Sequence, residues 1–502
     1  MGIFLRLPPA LFVERAPLHF LEILHPQPGY TGVGFDENLY REYVKTLSQA
    51  GLSSYPDLAE GYVNLQTRLP SAILPPTRFL YIFCAYLWHQ TTGADALAAL
   101  KNISSLFSIL TLVLTAIFSI HLGGVRLCLA TSALMAFAPT QIHMSQHALI
   151  DGVFACVALA CLWLLWENLQ RPNDWRWLAG YGIALALLVL TKENALFAYF
   201  GLLAVLAASY WFRIGIVTRF LLATTLVGPL VGVAILVNLC GSLGTATHIY
   251  QLLVSKAAVL PFALKTGDGP WYRYLVDLSL VSPIVLLLAF GAIFTLKRSN
   301  SAVIFLTAFL AASFLFRIGI VTRFLLATTL VGPLLGVAIL VNLCGSLGTA
   351  THIYQLLVSK AAVLPFALKT GDGPWYRYLV DLSLVSPIVL LLAFGAIFTL
   401  KRSNSAVIFL TAFLAASFLV MCNVRYGMNL RYANMWDLPL CFLAASYLVA
   451  LFARFRRADL WLALSIMALC AFDLRQYQIL FVKFGLYELV PEGLLRALQI
   501  LK

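Results

Sequence analysis

The chain is 502 residues long, 61% hydrophobic and only 11% charged, with a mean hydropathy of +0.89. Soluble domains carry about a quarter charged residues to stay in water, so this composition excludes a soluble globule and makes lipid the solvent. The net charge of +13 does not indicate nucleic acid, because the Lys and Arg residues fall in short clusters between apolar runs rather than along one basic face.

Met1 to Leu24 contains Arg6, Pro8, Pro9, Glu14 and Arg15 and is expected to be neither a spanning helix nor a standard signal peptide. An outside-facing first loop needs a span ahead of it, so the expectation is that sequence before Arg6 is missing. Gly34 to Val44 then sets the carboxylates of Asp36 and Glu37 before a short amphipathic helix, with Leu39, Tyr43 and Leu47 on one face, suited to lying at a membrane surface. Asp36 as a simple helix cap is the competing reading. In Leu74 to Tyr81, Arg78 precedes an aromatic-rich interfacial stretch, where it either holds a phosphate through two hydrogen bonds or snorkels to lipid headgroups.

Apolar runs such as Ile103 to Leu122, Phe220 to Leu239, Ser279 to Leu296 and Leu438 to Ala453 approach the roughly 20 residues a helix needs to cross a bilayer. They are continuous rather than alternating, which implies helices and not barrel strands. Asp151 opens the run Gly152 to Trp166 after His143, Gln146 and His147, as a functional acid at the membrane boundary or as an N-cap. Lys192 and Glu193 lie between two runs, as a self-neutralising pair or a phosphate contact. Arg431 and Tyr432 precede the run from Leu438. Most of the nine cysteines, among them Cys128, Cys156, Cys161, Cys441 and Cys470, lie in apolar runs and read as small buried hydrophobes; no metal-ligand spacing stands out.

Phe212 to Leu315 recurs as Phe316 to Leu419, offset by 104 residues, with one difference, Val231 against Leu335. Old structural repeats diverge far more, so this is a recent tandem duplication or an assembly error rather than functional pseudo-symmetry. The chain therefore divides into a first external loop with juxtamembrane helices (1–100), transmembrane helices (101–211), the two repeat copies (212–315 and 316–419) and C-terminal transmembrane helices with a short amphipathic tail (420–502). With one copy removed, Arg171, Arg176, Arg213, Arg219, Lys297, Arg298, Arg454, Arg456 and Arg457 all fall inside, as the positive-inside rule requires. Gln141 to Asp151, Lys192 with Glu193, Cys240 to Asp277 and Asn423 to Asp437 fall outside. A second copy adds three apolar runs, an odd number that would invert everything downstream. The single-copy topology brings acids and cations to one face, where cations can stabilise a phosphate leaving group and a carboxylate can take the proton of an acceptor.

The order of these motifs resembles the GT-C glycosyltransferase superfamily, in the branch of protein O-mannosyltransferases and lipid A aminoarabinose transferases. The likeness rests on Arg6-Leu7-Pro8, Asp36-Glu37 with Tyr40, Pro75-Pro76 with Arg78, Asp151, Thr191-Lys192 and Arg431-Tyr432, and covers most of the chain. It implies an all-α polytopic transmembrane helical bundle with external juxtamembrane helices. Asp36 would be the catalytic base, with Glu37 and Asp151 assisting in positioning, and Arg78, Lys192, Arg431 and Tyr432 would contact the donor phosphate. The implied reaction is an inverting single displacement. A polyprenyl-phosphate monosaccharide would give its sugar to a protein, lipid or glycan acceptor on the non-cytoplasmic side, in the plasma (inner) membrane if the source is bacterial. No cofactor beyond the lipid-linked donor is expected, and the need for a divalent metal is open.

Three features depart from the family pattern: the first span is nearly absent, His147 replaces the basic residue common before the second acid, and the duplication has no counterpart. The loop Cys240 to Asp277, with Gly269-Pro270-Trp271-Tyr272 and its twin Gly373-Pro374-Trp375-Tyr376, resembles the family's variable loop over the site. The rival functions are a lipid or solute transporter or flippase, whose charges should sit mid-span in Gly- or Pro-broken helices, and an inactive duplicated derivative of the transferase. Nucleic-acid binding is not expected.

Overall fold

In the computed structural model the described residues are 1–8, 34–69, 73–258 and 376–499, apart from 173, 400–403, 424–428, 454, 488 and 490. Among them every regular element is helical, as the composition requires. The chain divides into two compact units, one made of Met1–Leu260 with Pro365–Lys502 and the other of Pro261–Leu364. The second unit lies outside the described residues, and with it the run Ser279 to Leu296, the cations Lys297 and Arg298 and the loop tip Gly269 to Tyr272. Arg454 and the twin tip Gly373 to Trp375 lie outside them too.

In the first unit, the first α-helices among the described residues are α1 (Phe35–Ala50) and α2 (Tyr55–Arg68). α1 buries Glu37, Tyr40, Tyr43, Val44 and Leu47, so its inner face is broader than the Leu39, Tyr43 and Leu47 stripe read from spacing. The expected alternative role of Asp36 as helix cap falls to Glu37. The Glu37 carboxylate reaches back to accept from the Gly34 N–H at 2.8 Å, closing the first turn from its third position. The hydroxyls of Tyr43, Tyr55 and Tyr62 then donate to the carbonyls of Leu74, Pro76 and Ile73 at 2.6, 2.5 and 3.0 Å. The prolines at 75 and 76 offer no N–H, and these tyrosines use the carbonyls of the stretch to hold it against α1 and α2.

α3 (Phe79–Thr92) is followed by α4 (Ala96–Phe137). The single crossing expected over Ile103 to Leu122 is the first arm of a reversal: Gly123 and Gly124 leave helical geometry, Gly124 at φ 77°, and the Cys128 thiol returns to 3.3 Å from the Ala116 carbonyl. Only glycine takes that left-handed conformation without strain. Arg6 ties the start of the chain to both arms, donating to the Ser108 hydroxyl at 3.1 Å and to the carbonyls of Met135 at 2.7 Å and Ala136 at 2.8 Å. Burial lowers its pKa to about 10.

The remaining helices are α5 (Pro139–Gln146), α6 (Asp151–Gln170), α7 (Trp175–Val189), α8 (Ala195–Phe212), α9 (Arg219–Leu239), α10 (Leu243–Ala258), α11 (Arg377–Val385), α12 (Pro387–Phe398), α13 (Ser405–Asn423), α14 (Asp437–Phe452), α15 (Ala458–Tyr477) and α16 (Pro491–Ala497). A 3-10 helix, Leu430–Trp436, leads into α14. Among the described residues six helices are long and apolar enough to cross a membrane, or seven if the bent pair α11 and α12 is one span; the protein is an integral membrane protein. That pair is the twin of the run expected to cross at Ser279 to Leu296, and it bends by 119°. Pro387 has no N–H to donate and holds Ser386 at φ −139°, outside the helical region.

Chain direction sorts the charges. Arg171 follows the end of α6, which Asp151 begins, and Arg213 follows the end of α8, which Lys192 precedes. Arg456 and Arg457 follow the end of α14, which Arg431 precedes. These arginines are exposed, whereas Arg6, Arg78, Lys192 and Arg431, at the other helix ends or beside them, are buried. One end of the bundle is a basic surface and the other holds paired, enclosed charges.

Candidate active site

Five separate pieces of chain meet at that second end: the start of α1, the turn before α3, the junction of α5 and α6, the turn between α7 and α8, and the 3-10 helix. Asp36, in the first turn of α1, accepts from the Arg431 guanidinium at 2.7 Å across 395 residues of sequence. Arg431 also reaches the Tyr432 hydroxyl at 3.1 Å. Asp151 accepts from the Lys192 ammonium at 2.7 Å, and that ammonium sits 3.8 Å from the centre of the Tyr432 ring. Arg78 grips Glu193 with Nε at 3.2 Å and Nη2 at 2.8 Å from one oxygen, and donates from Nη1 to the Tyr40 hydroxyl at 2.6 Å.

The seven residues singled out from sequence are thus in one cluster, but their partners differ from those expected. Lys192 and Glu193 do not neutralise each other; each pairs with a charge from another element. Successive residues on a helical turn do not face each other, and this turn splays the two side chains toward Asp151 and Arg78. Arg78 does not snorkel: it is 7% exposed. Asp151 does not cap α6, which starts after Ile150 with no side-chain cap. Its carboxylate is given to Lys192.

The fold brings in four further groups that sequence reasoning gave no role in the site or, for Glu193, a different partner. Glu193 anchors Arg78, and its only signal was adjacency to Lys192. His147 lies 3.4 Å from the Glu37 carboxylate, which also accepts from the Ala148 N–H at 2.7 Å. The Asn434 amide donates to the Asp151 carbonyl at 2.5 Å. Gln141 donates to the Asn434 carbonyl at 3.1 Å and to Asp437 at 2.9 Å. No pattern in the sequence marks Gln141 or Asn434.

The electrostatics follow from enclosure and pairing. Burial would raise the pKa of Glu37, but His147 and the N–H groups of Gly34 and Ala148 outweigh it and bring the pKa to about 2. The same contest, won by Arg78, lowers Glu193. Burial brings Lys192 down to about 8 even with Asp151 against it. Burial also holds His143 well below the usual histidine range, with His147 and Arg431 adding to the effect. Of the three acids expected to act, Glu37 and Asp151 are enclosed at 1% and 2% exposure, and Asp36 is the one whose carboxylate stays partly open, at 15%. Three cations, each paired with an acid, beside one partly open carboxylate are the groups that binding a phosphate and taking a proton from an incoming nucleophile require.

Among curated protein sequences none matches this chain. Of solved structures, the archaeal oligosaccharyltransferase AglB from Archaeoglobus fulgidus, in complex with an inhibitory peptide and a dolichol-phosphate, aligns with 12% identity and a TM-score of 0.47 over 87% of this chain and 52% of its own. ArnT from Cupriavidus metallidurans, bound to undecaprenyl phosphate, aligns with 12% identity and a TM-score of 0.45 over 95% of this chain and 72% of its own. The chain therefore spans about half the length of the archaeal enzyme. At the level of sequence families, residues 82–260 match the dolichyl-phosphate-mannose-protein mannosyltransferases, and over that stretch the resemblance to the GT-C branch holds.

Proposed function

We propose that the protein is a membrane glycosyltransferase that moves a monosaccharide from a polyprenyl-phosphate carrier to a protein, lipid or glycan acceptor on the non-cytoplasmic side, in the plasma membrane if the source is bacterial. The observation that carries this reading is the Asp36–Arg431 pair at 2.7 Å, set beside Lys192 and Arg78. Each of the three cations is balanced by one acid, so the site is close to neutral before a donor arrives. An entering phosphate competes with Asp36 for Arg431. Its arrival draws the guanidinium toward the donor and frees the carboxylate as a base for the acceptor.

In the displacement that follows, the acceptor oxygen or nitrogen attacks the anomeric carbon while Asp36 takes its proton. The bond to the phosphate oxygen breaks with inversion, and the polyprenyl phosphate departs with its added negative charge stabilised by Arg78, Lys192 and Arg431. Glu37, locked by two N–H groups and His147, positions Asp36 by fixing the first turn of α1. Asp151 orients Lys192. These residues supply the general base and the charge stabilisation for transfer from the lipid-linked donor.

The test is sugar transfer from radiolabelled polyprenyl-phosphate monosaccharides by wild type and Asp36→Asn. Loss of a positioned base costs about 10²- to 10⁴-fold. An Asp36→Asn protein that melts like wild type and transfers at the wild-type rate refutes the assignment. The Pro387 break is a feature transporters share. A labelled lipid that crosses the bilayer while its sugar bond stays intact would establish that alternative.

A further inference from the structure

Beside the active site, a small cavity of about 20 Å³ lies where α5, the α11–α12 break, α14 and α15 meet. Thr140, Ser386, Asp437, Cys441 and Asp473 are the polar and thiol groups on its wall. We propose that this cavity is a binding site for one dehydrated monovalent cation, with Na⁺ as the occupant, held between the carboxylates of Asp437 and Asp473.

Three observations converge on it. First, Asp473 is 2% exposed, yet among the described residues it accepts no hydrogen bond and forms no ion pair. An ionised carboxylate removed from water without a partner is strongly disfavoured, so Asp473 either holds a proton or is compensated by a cation. Second, the Thr140 hydroxyl lines the same space, 3% exposed and likewise without a partner among the described residues; it offers an oxygen ligand independent of the acids. Third, α11 ends at the cavity with Val385 and Ser386 on its wall. The last carbonyls of a helix lack intrahelical partners and form its negative end.

Among the described residues no cation forms an ion pair with either acid. Arg6 is near enough to act on Asp437, but its guanidinium donates to Ser108 and to the carbonyls of Gly2, Met135 and Ala136. Among the described residues the Asp437 carboxylate accepts one hydrogen bond, from Gln141.

Size and ligand type select the ion. A cavity of this volume holds about one water-sized occupant, which excludes a hydrated ion. Two carboxylates and hydroxyl oxygens suit a hard cation. Ca²⁺ would need six to eight oxygens and Mg²⁺ would keep several waters. The site is also wired to the chemistry beside it. Asp437 holds Gln141, Gln141 holds the Asn434 carbonyl, and Asn434 holds the carbonyl of Asp151. Occupancy would thus firm the 3-10 helix that carries Arg431. The proposal does not depend on the transferase reading, since it is tested by binding.

The experiment uses the full chain in lipid nanodiscs at constant pH and ionic strength. Melting is followed in NaCl, KCl and choline chloride, and retention of ²²Na⁺ is measured directly. The expected result is a saturable rise in melting midpoint with Na⁺ over choline, a smaller one with K⁺, and about one ²²Na⁺ retained per chain. Asp473→Asn should abolish both effects. Thr140→Val should raise the half-saturating Na⁺ about tenfold, since one lost oxygen ligand is of the order of one hydrogen bond. Equal midpoints in NaCl and choline with no ²²Na⁺ retained would overturn the proposal, the carboxyls then being protonated or hydrated instead. Undiminished ²²Na⁺ binding by Asp473→Asn would overturn it as well. If that variant does not fold, ²²Na⁺ retention by wild type, with choline as competitor, decides.

Discussion

Lys192 offers the sharpest test of the site, because enclosure makes its charge titratable in a range where activity can be measured. Burial brings its pKa from 10.5 to about 8. At roughly 1.4 kcal/mol per pKa unit, that difference is worth ~3 kcal/mol against keeping the ammonium charged in the fold. Two consequences have opposite signs. Below pH 8 the folded protein carries the whole penalty. As pH rises from 8 toward 10.5 the folded form has released the proton while the unfolded chain still binds it, so this group's contribution to stability improves. Over the same interval the ammonium that faces Asp151 and a donor phosphate disappears. Sugar transfer should therefore fall about tenfold per pH unit above 8 while thermal stability holds or rises. Lys192→Arg removes the titration, since a guanidinium stays charged and can also stack on Tyr432. Whatever its absolute rate in the altered geometry, its profile should stay flat to about pH 10 with no alkaline gain in stability. A flat wild-type profile, or the same alkaline limb in Lys192→Arg, refutes the role given to this charge.

Arg78→Lys replaces a fork that spans Glu193 and Tyr40 with a point charge; the expected result is a KM for the lipid-linked donor raised about tenfold or more with a smaller fall in kcat, read from initial rates. Glu37→Gln should lose about 3 kcal/mol at pH 7, from the lowering of Glu37 to about 2. Its denaturation profile should be flatter between pH 4.5 and 2, where wild type loses that stabilisation as the carboxylate is protonated. Deletion of 261–364 should yield a protein that melts cooperatively and whose sugar transfer depends on Asp36. Aggregation of that deletion variant, with full-length protein soluble under the same conditions, counts against the compact body being self-sufficient.

The helical, membrane-embedded character of the chain was legible from hydropathy, because lipid tolerates no other backbone solution for runs of this kind. What hydropathy could not show was direction. The α4 run is apolar on both sides of Gly123 and Gly124, so nothing in its composition distinguishes a long crossing from a reversal; the glycine pair was the only signal. At Ser386 the signal, a proline inside an apolar run, was present but the run was read as one unbroken crossing, which the 119° bend overturns. For the site, the residue types and their common side were legible, since ionisable residues at the edges of spans are costly and few. The pairing was not. Whether Lys192 meets Glu193 or Asp151 depends on how a five-residue turn orients successive side chains, and Arg431 finds Asp36 only through the packing of elements 395 residues apart. Gln141 and Asn434 are neutral amides with no spacing rule, and only the fold shows that they join Asp437 to Asp151.

The duplication bears on that site through topology. The compact body takes residues 212–260 from the first copy and 365–419 from the second, and Leu260 and Leu364 are equivalent positions in the repeat. The two pieces therefore join in register as one complete copy, and the intervening unit, Pro261–Leu364, is one repeat length of 104 residues. Within the body, α8 and α9 lead away from Lys192 and back, and α11–α12 and α13 do the same before Arg431. That even number of passages is why Arg431 meets Asp36. The sequence of the intervening unit contains three long apolar runs, Ser279 to Leu296, Ala302 to Phe316 and Phe324 to Leu343. A segment that leaves and returns to one face of a bilayer must cross it an even number of times, so three crossings there are incompatible with the Asp36–Arg431 pair. Reagent labelling of a cysteine placed beside Arg456 decides between the two. Access from the side opposite Asp36 is the outcome the pair requires; access from the same side would mean that the inserted unit crosses an odd number of times and that the two halves of the site are separated by the membrane.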